Sequence, residues 1–231
     1  MKQLLPLFAL LSACLCQPSF ADETPPPAKT DTQAASAPGD KAAAAATKPA
    51  DKPPEKPQPK LTGPQYVQVF TNMGNFVIEL NTERAPLTVA HFLRVMDTGH
   101  YSNTIFHRVV PNFVIQGGGF DTGYNPKPVA EKVVNESGNG LSNVRGSVGM
   151  ARNSDPHAAD SQFYVNLYDN AALDPNQTRW GYAVFGKVVS GMENVDRIGN
   201  VSTGSHGIIK EDTPVKPVVI LKIERTQAPT S

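Results

Sequence analysis

Residues Phe106 to Gly119 read FHRVVPNFVIQGGG, and the reading of this stretch decides the fold. Ile105 to Val110 mixes β-branched and aromatic side chains around one cation, Arg108. Pro111 and Asn112 form a turn signal, and Phe113 to Gln116 is apolar again until glycines end it. The pattern predicts two short strands joined by a tight turn. Arg108 and Gln116 alone carry several strong hydrogen-bonding groups in this hairpin. An arginine so placed costs stability unless it meets a partner or faces a cleft. A lone one reads most simply as half-exposed, but a second segment, Ser161 to Asn166 (SQFYVN), shifts the reading toward a cleft.

Outward from the hairpin, Tyr66 to Thr71 and Phe76 to Leu80 flank the turn Asn72-Met73-Gly74-Asn75. Phe76, Ile78 and Leu80 fall on one face at period two, which predicts another strand hairpin. Pro86 opens a helix where its missing N–H costs nothing, Val89, Phe92, Leu93 and Met96 follow helical spacing, and Gly99 stops it. Further strands are predicted at Gly146 to Ala151, Ser161 to Leu167, Tyr182 to Val189 and Pro217 to Glu224. Met192, Val195 and Ile198 predict a short second helix. Many short strands with only two helices argue for a closed or nearly closed antiparallel barrel.

This globular composition begins near Leu61. Before it, Met1 to Ala21 has the form of an export signal: Lys2, an apolar run at Leu4 to Ala13, Pro18, then Ser19-Phe20-Ala21 as a cleavage site. Cleavage is expected after Ala21, giving a periplasmic protein. The alternative is a lipobox at Leu11-Ser12-Ala13-Cys14, which would lipidate Cys14 and anchor the chain to a membrane. Both cysteines of the sequence, Cys14 and Cys16, lie in this leader. The processed chain is therefore expected to lack thiol, disulfide and zinc chemistry. Residues 22–60 are a linker of Pro, Ala and Lys without Val, Ile, Leu or aromatics, too poor in apolar surface to offset ordering entropy. The folded domain is expected over 61–226 and a loose tail over 227–231. Formal net charge is zero, which gives no reason to expect nucleic acid as a partner.

Familiar catalytic signals are missing. The five histidines show no metal-ligand spacing, and Gly117 to Gly119 lacks the Lys-Ser/Thr of a phosphate loop. His107 is expected to pack. What remains is a series in fixed order: FHRVVPNFVIQGG, GSVGMAR at Gly146 to Arg152, SQFYVN, and YAVFGKVVSGM at Tyr182 to Met192. Together these closely resemble the cyclophilin family of peptidyl-prolyl cis–trans isomerases, particularly its exported bacterial branch, over roughly Tyr66 to Ile223.

The resemblance implies a closed eight-stranded antiparallel β-barrel capped by two α-helices. It also implies isomerisation of X–Pro bonds in proline-containing unfolded polypeptides, without cofactor or metal. Arg108 matches the family's catalytic arginine. Phe113, Gln116, Gln162, Tyr164 and Leu173 match the proline pocket and adjoining groove, and Ala151 the small residue that lets substrate backbone approach. Three positions depart from the common eukaryotic pattern. Arg152 replaces an asparagine that contacts substrate backbone, Tyr182 a histidine of the pocket, and Ala172 a tryptophan or phenylalanine. The last implies weak cyclosporin binding. The chain is expected to act as a monomer. A second reading is a module that holds proline segments without turnover; retention of both Arg108 and Gln116 favours the enzyme.

Overall fold

Period-two alternation is carried through into the first two strands. Val67, Val69 and Thr71 of β1 (Gln65–Thr71) and Phe76, Ile78 and Leu80 of β2 (Phe76–Leu80) are buried while their neighbours are not. The computed structural model describes residues 63–207 and 209–229. The export leader, both cysteines, the Ala21 cleavage site and the whole linker therefore lie outside the described residues, as do the last two residues of the tail.

The remaining barrel strands are β3 (Thr104–Val110), β4 (Val114–Asp121), β5 (Ser147–Met150), β6 (Phe163–Asn166) and β7 (Val184–Ser190). Between β7 and the final barrel strand come β8 (Thr203–His206) and β9 (Ile209–Pro214), and the chain closes with β10 (Val218–Thr226). Eight strands form a closed barrel in the order β1-β10-β3-β4-β6-β5-β7-β2, every pairing antiparallel. Closure leaves no sheet edge open to another chain. Val67, Ile78, Val109, Ile115, Val165 and Phe185 fill the barrel interior.

Helix α1 (Pro86–Asp97) starts at the proline, and its predicted face, Val89, Phe92, Leu93 and Met96, is buried. Phe92 meets Tyr101, Phe163 and Phe185 at ring-centroid distances of 5.1, 5.7 and 5.2 Å. No side chain of the helix caps its own N-terminus. The Glu136 carboxylate does so from a distant loop, accepting from the backbone N–H of Leu87 (3.1 Å) and Thr88 (2.8 Å). An anion there satisfies orphan donors and complements the helix dipole. Helix α2 (Met192–Gly199) buries Val195 and Ile198.

Two sequence expectations are corrected. The glycines do not end β4, which runs through Gly117–Gly119 to Asp121. They permit close approach: a Cβ at Gly117 would lie 2.8 Å from the Phe106 ring, and one at Gly119 would lie 2.5 Å from the Gln162 side chain. The β8–β9 hairpin was not expected at all. It forms its own two-stranded sheet outside the barrel, and its first strand buries none of its residues, so it lacks the buried apolar runs that mark the barrel strands.

Candidate active site

The site begins with an irregularity in β3. Phe106 pairs with Gly117, but Arg108 pairs with Gln116, so β3 carries one residue more than β4 at His107. In a regular strand Phe106 and Arg108 would share a face. The bulge changes this: Phe106 and Val109 both enter the core, and Arg108 is left outside with its side chain 37 % exposed. Such bulges re-aim side chains beside active sites. His107, the inserted residue, is buried and packs on Phe120 at 4.5 Å between ring centroids. Gln116 lies opposite Tyr164 of β6, and Tyr164 opposite Gly149 of β5. Arg108, Gln116 and Tyr164 thus form a row across three adjacent strands.

A second apolar cluster, separate from the barrel core, sits beside this row. Val114, Ala151 and Tyr164 form its buried floor, with Phe113, Leu173 and Tyr182 packed against them. The Arg108 guanidinium carbon lies 5.8 Å from the Phe113 ring centroid. Tyr164 and Tyr182 meet edge-on at 6.0 Å and 84°. Gly149 makes room for this arrangement, since a Cβ there would lie 2.2 Å from the Tyr164 hydroxyl. Tyr182 precedes β7 rather than starting it, and its N–H donates to the Leu173 carbonyl at 2.9 Å. That bond ties two pocket walls together.

Polar groups fix the rim. Gln116 donates through Nε2 to Gln162 Oε1 at 3.0 Å. Next to this pair lies a small polar cavity of about 60 Å³, lined by Gln116, Ala151, Arg152, Asp160 and Gln162 among others. Arg152 is less free than its family counterpart implies. Its guanidinium donates to the carbonyls of Asn153 (2.9 Å), Trp180 (3.0 Å) and Gly181 (3.3 Å). It also lies 4.6 Å over the Tyr182 ring, so it joins two loops and backs the pocket wall.

Sequence reasoning missed three residues. Val114 was seen only as strand filler. Asn143 sits buried in a glycine- and asparagine-rich loop and accepts from the Tyr164 hydroxyl at 2.6 Å. It also accepts from Asn166 Nδ2 at 3.2 Å and donates to the Asp174 carboxylate from Nδ2 at 2.8 Å. Burial raises the Tyr164 hydroxyl well above its usual pKa, so it stays a neutral donor to Asn143. The third, Asp212 of β9, lies beside Arg108; no strand was expected there. Ala172 is exposed in a 3₁₀ turn (Ala171–Leu173), its carbonyl accepting from Arg179 at 2.6 Å. The Trp180 ring packs edge-on against His157 at 5.4 Å.

The structure therefore brings together nine of the side chains singled out in the sequence, Arg108, Phe113, Gln116, Ala151, Arg152, Gln162, Tyr164, Leu173 and Tyr182, and leaves Ala172 exposed in the turn beside Leu173. Among the described residues no group of three or more His, Cys, Asp or Glu is placed to hold a metal ion.

A closed eight-stranded barrel with an apolar pocket and an arginine on its outer wall defines the class of barrel-fold prolyl isomerases. The model of the cyclophilin type peptidyl-prolyl cis-trans isomerase family matches residues 66–225, and the chain belongs to that family as a peptidyl-prolyl cis–trans isomerase. It is similar to a peptidyl-prolyl cis-trans isomerase of Acinetobacter baylyi, 46 % identical over 158 residues, covering 68 % of this chain and 84 % of the relative. Peptidyl-prolyl cis-trans isomerase B of Escherichia coli is 45 % identical over 157 residues, 67 % of this chain and 95 % of the relative. Among solved structures, a Cryptosporidium parvum cyclophilin determined in the presence of the dipeptide Ala-Pro matches with a TM-score of 0.62 at 28 % identity. That match covers 71 % of this chain and all of the other.

Proposed function

We propose that Arg108 accelerates X–Pro rotation by donating to the prolyl nitrogen of a twisted imide held in the Phe113, Ala151, Tyr164, Leu173 and Tyr182 pocket. Partial double-bond character sets a rotation barrier of about 18–20 kcal/mol. In the planar ground states the nitrogen lone pair is delocalised and a poor acceptor. Twisting localises it, so a fixed guanidinium binds the transition state better than either isomer. A charge-assisted hydrogen bond is worth roughly 1.5–3 kcal/mol, which is about one to two decades of rate. The apolar walls hold the ring while the preceding carbonyl swings. Gln116, braced by Gln162, contacts substrate backbone beside the guanidinium, and Arg152 keeps the Tyr182 wall in place.

The observation that carries this reading is the β3 bulge, which sets a partly exposed guanidinium against the apolar cluster. An isomerisation assay on a proline peptide should show Arg108→Ala at least about tenfold slower with unchanged melting temperature. Arg108→Lys should also be slow, because a point ammonium cannot reproduce the planar fork. Wild-type turnover in a folded Arg108→Ala protein would leave only the binding-module reading.

The substrates on this account are proline-containing segments of exported proteins, which the enzyme helps to fold as a periplasmic monomer. The leader sequence supports export. Mass spectrometry of the exported protein should find Asp22 as the first residue and a native mass of one chain. A species that begins at an acylated Cys14 would make it a membrane-anchored lipoprotein instead.

Ala172 bears on inhibitors. Where the family presents an indole or phenyl edge, this turn presents a methyl group, and at about 25 cal/mol per Å² the lost contact reaches a few kcal/mol. Cyclosporin should therefore inhibit weakly, while short peptides, which lean on the pocket and Arg108, turn over normally. The Trp180 contact with His157 supports a ring that is already engaged. Ala172→Trp should gain at least about tenfold in inhibitor affinity, and tight binding by the wild type would defeat this reading.

A further inference from the structure

The β8–β9 hairpin contributes nothing to barrel closure, yet β9 lies against β3 and delivers a carboxylate to the arginine. Asp212 Oδ2 lies 3.6 Å from Arg108 Nε, and among the described residues it is the only acidic group within 4.0 Å of that guanidinium. The hairpin is shaped around this placement. Gly204 pairs with Thr213 and His206 with Ile209, so residues 210–212 of β9 face Ser205 alone. At the end of that bulge Asp212 takes a left-handed conformation, φ 59°, which few residues other than glycine, asparagine and aspartate adopt readily. Both ends of the bulge are held. Thr213 is buried, and the His206 ring stacks on Tyr124 of the loop after β4 at 3.7 Å and 13°. With both partners of the pair 37 % exposed, the attraction adds little to stability. Its use is orientation.

We infer that Asp212 is a positioning residue for catalysis: it holds the Nε side of Arg108 and so turns the two terminal nitrogens toward the substrate. Among the described residues neither terminal nitrogen has a hydrogen-bond partner, which leaves their N–H groups for the imide. The inference rests on the arginine reading above, and its test separates the two. Asp212→Asn keeps the size of the side chain and tolerates the left-handed backbone, but removes the charge. It should lower kcat about fivefold, leave KM within about twofold, and have no further effect in an Arg108→Ala background. In ¹⁵N-labelled protein the Arg108 Nε–Hε resonance, assigned by its loss in Arg108→Lys, should shift and broaden in Asp212→Asn. Equal losses in both backgrounds, or an unchanged resonance with wild-type kcat, would overturn the role of Asp212. Wild-type kcat in Arg108→Ala would instead remove the arginine reading itself, and with it this one.

Discussion

Asn143→Leu is expected to lower stability by about 3 kcal/mol and to weaken substrate binding, although Asn143 is buried behind the pocket rather than in it. The side chain accepts from the Tyr164 hydroxyl and Asn166 and donates to Asp174. Leucine leaves the buried Tyr164 hydroxyl unpaired, at roughly 1–3 kcal/mol, and takes one partner from Asn166 Nδ2, which still donates to Ser147 Oγ at 2.8 Å. The backbone N–H of residue 143 still donates to Asp174 at 2.7 Å, which limits the third loss. For a domain of this size the melting temperature should fall by about 6–12 °C. Tyr164→Phe is the control: it removes one hydroxyl, leaves Asn143 its other partners, and should cost about 1 kcal/mol. If Asn143→Leu melts like the wild type, the network does not hold the Tyr164 ring.

Acid should weaken the fold through His107. Burial first, then the neighbouring Arg108 charge, push its pKa down to about 4, against a hydrogen bond to the Ile105 backbone that favours the charged form. The unfolded chain takes up this proton below about pH 6.5 and the folded one only near pH 4, so the unfolded state binds more protons in between. Stability from this group is complete at neutral pH and is lost as pH falls through that window, by about 3 kcal/mol at pH 4. Denaturant melts at pH 7 and pH 4 should show this loss in the wild type. His107→Phe, which keeps an aromatic ring against Phe120 and cannot take a proton, should be spared it. Buried His100, also lowered, and the lowered carboxyls of Asp121 and Asp160 lose stability in the same direction in both proteins. The difference between the two proteins therefore isolates His107, and parallel pH dependence would show that its ring is solvated.

The barrel was legible because β1 and β2 bury one face at period two, and because β5 and β6, buried on both faces, read as short apolar runs between turn signals. Helix α1 was legible from Pro86 and a four-residue apolar stripe. The pocket residues were found through the motifs around them, since nothing in the local pattern of Leu173 or Ala151 distinguishes a pocket wall from ordinary core. The bulge at His107 could not be read, because a one-residue insertion shows only against its partner strand. Asn143 and Asp212 were missed for a related reason: each lies in a polar stretch, and each acts on a residue far away in sequence. The glycines after Gln116 misled because the same residue that ends a strand also lets two strands approach.

The central claim is that Arg108 acts on the twisted bond and little on binding. Exchange NMR on a proline-containing peptide measures both quantities in one sample, the dissociation constant from shifts and the cis–trans rate from exchange peaks. For Arg108→Ala the account predicts a dissociation constant within about threefold of wild type and an on-enzyme rotation rate at least about tenfold lower. A rotation rate that stays at the wild-type value, or one that falls only in proportion to lost binding, would contradict it.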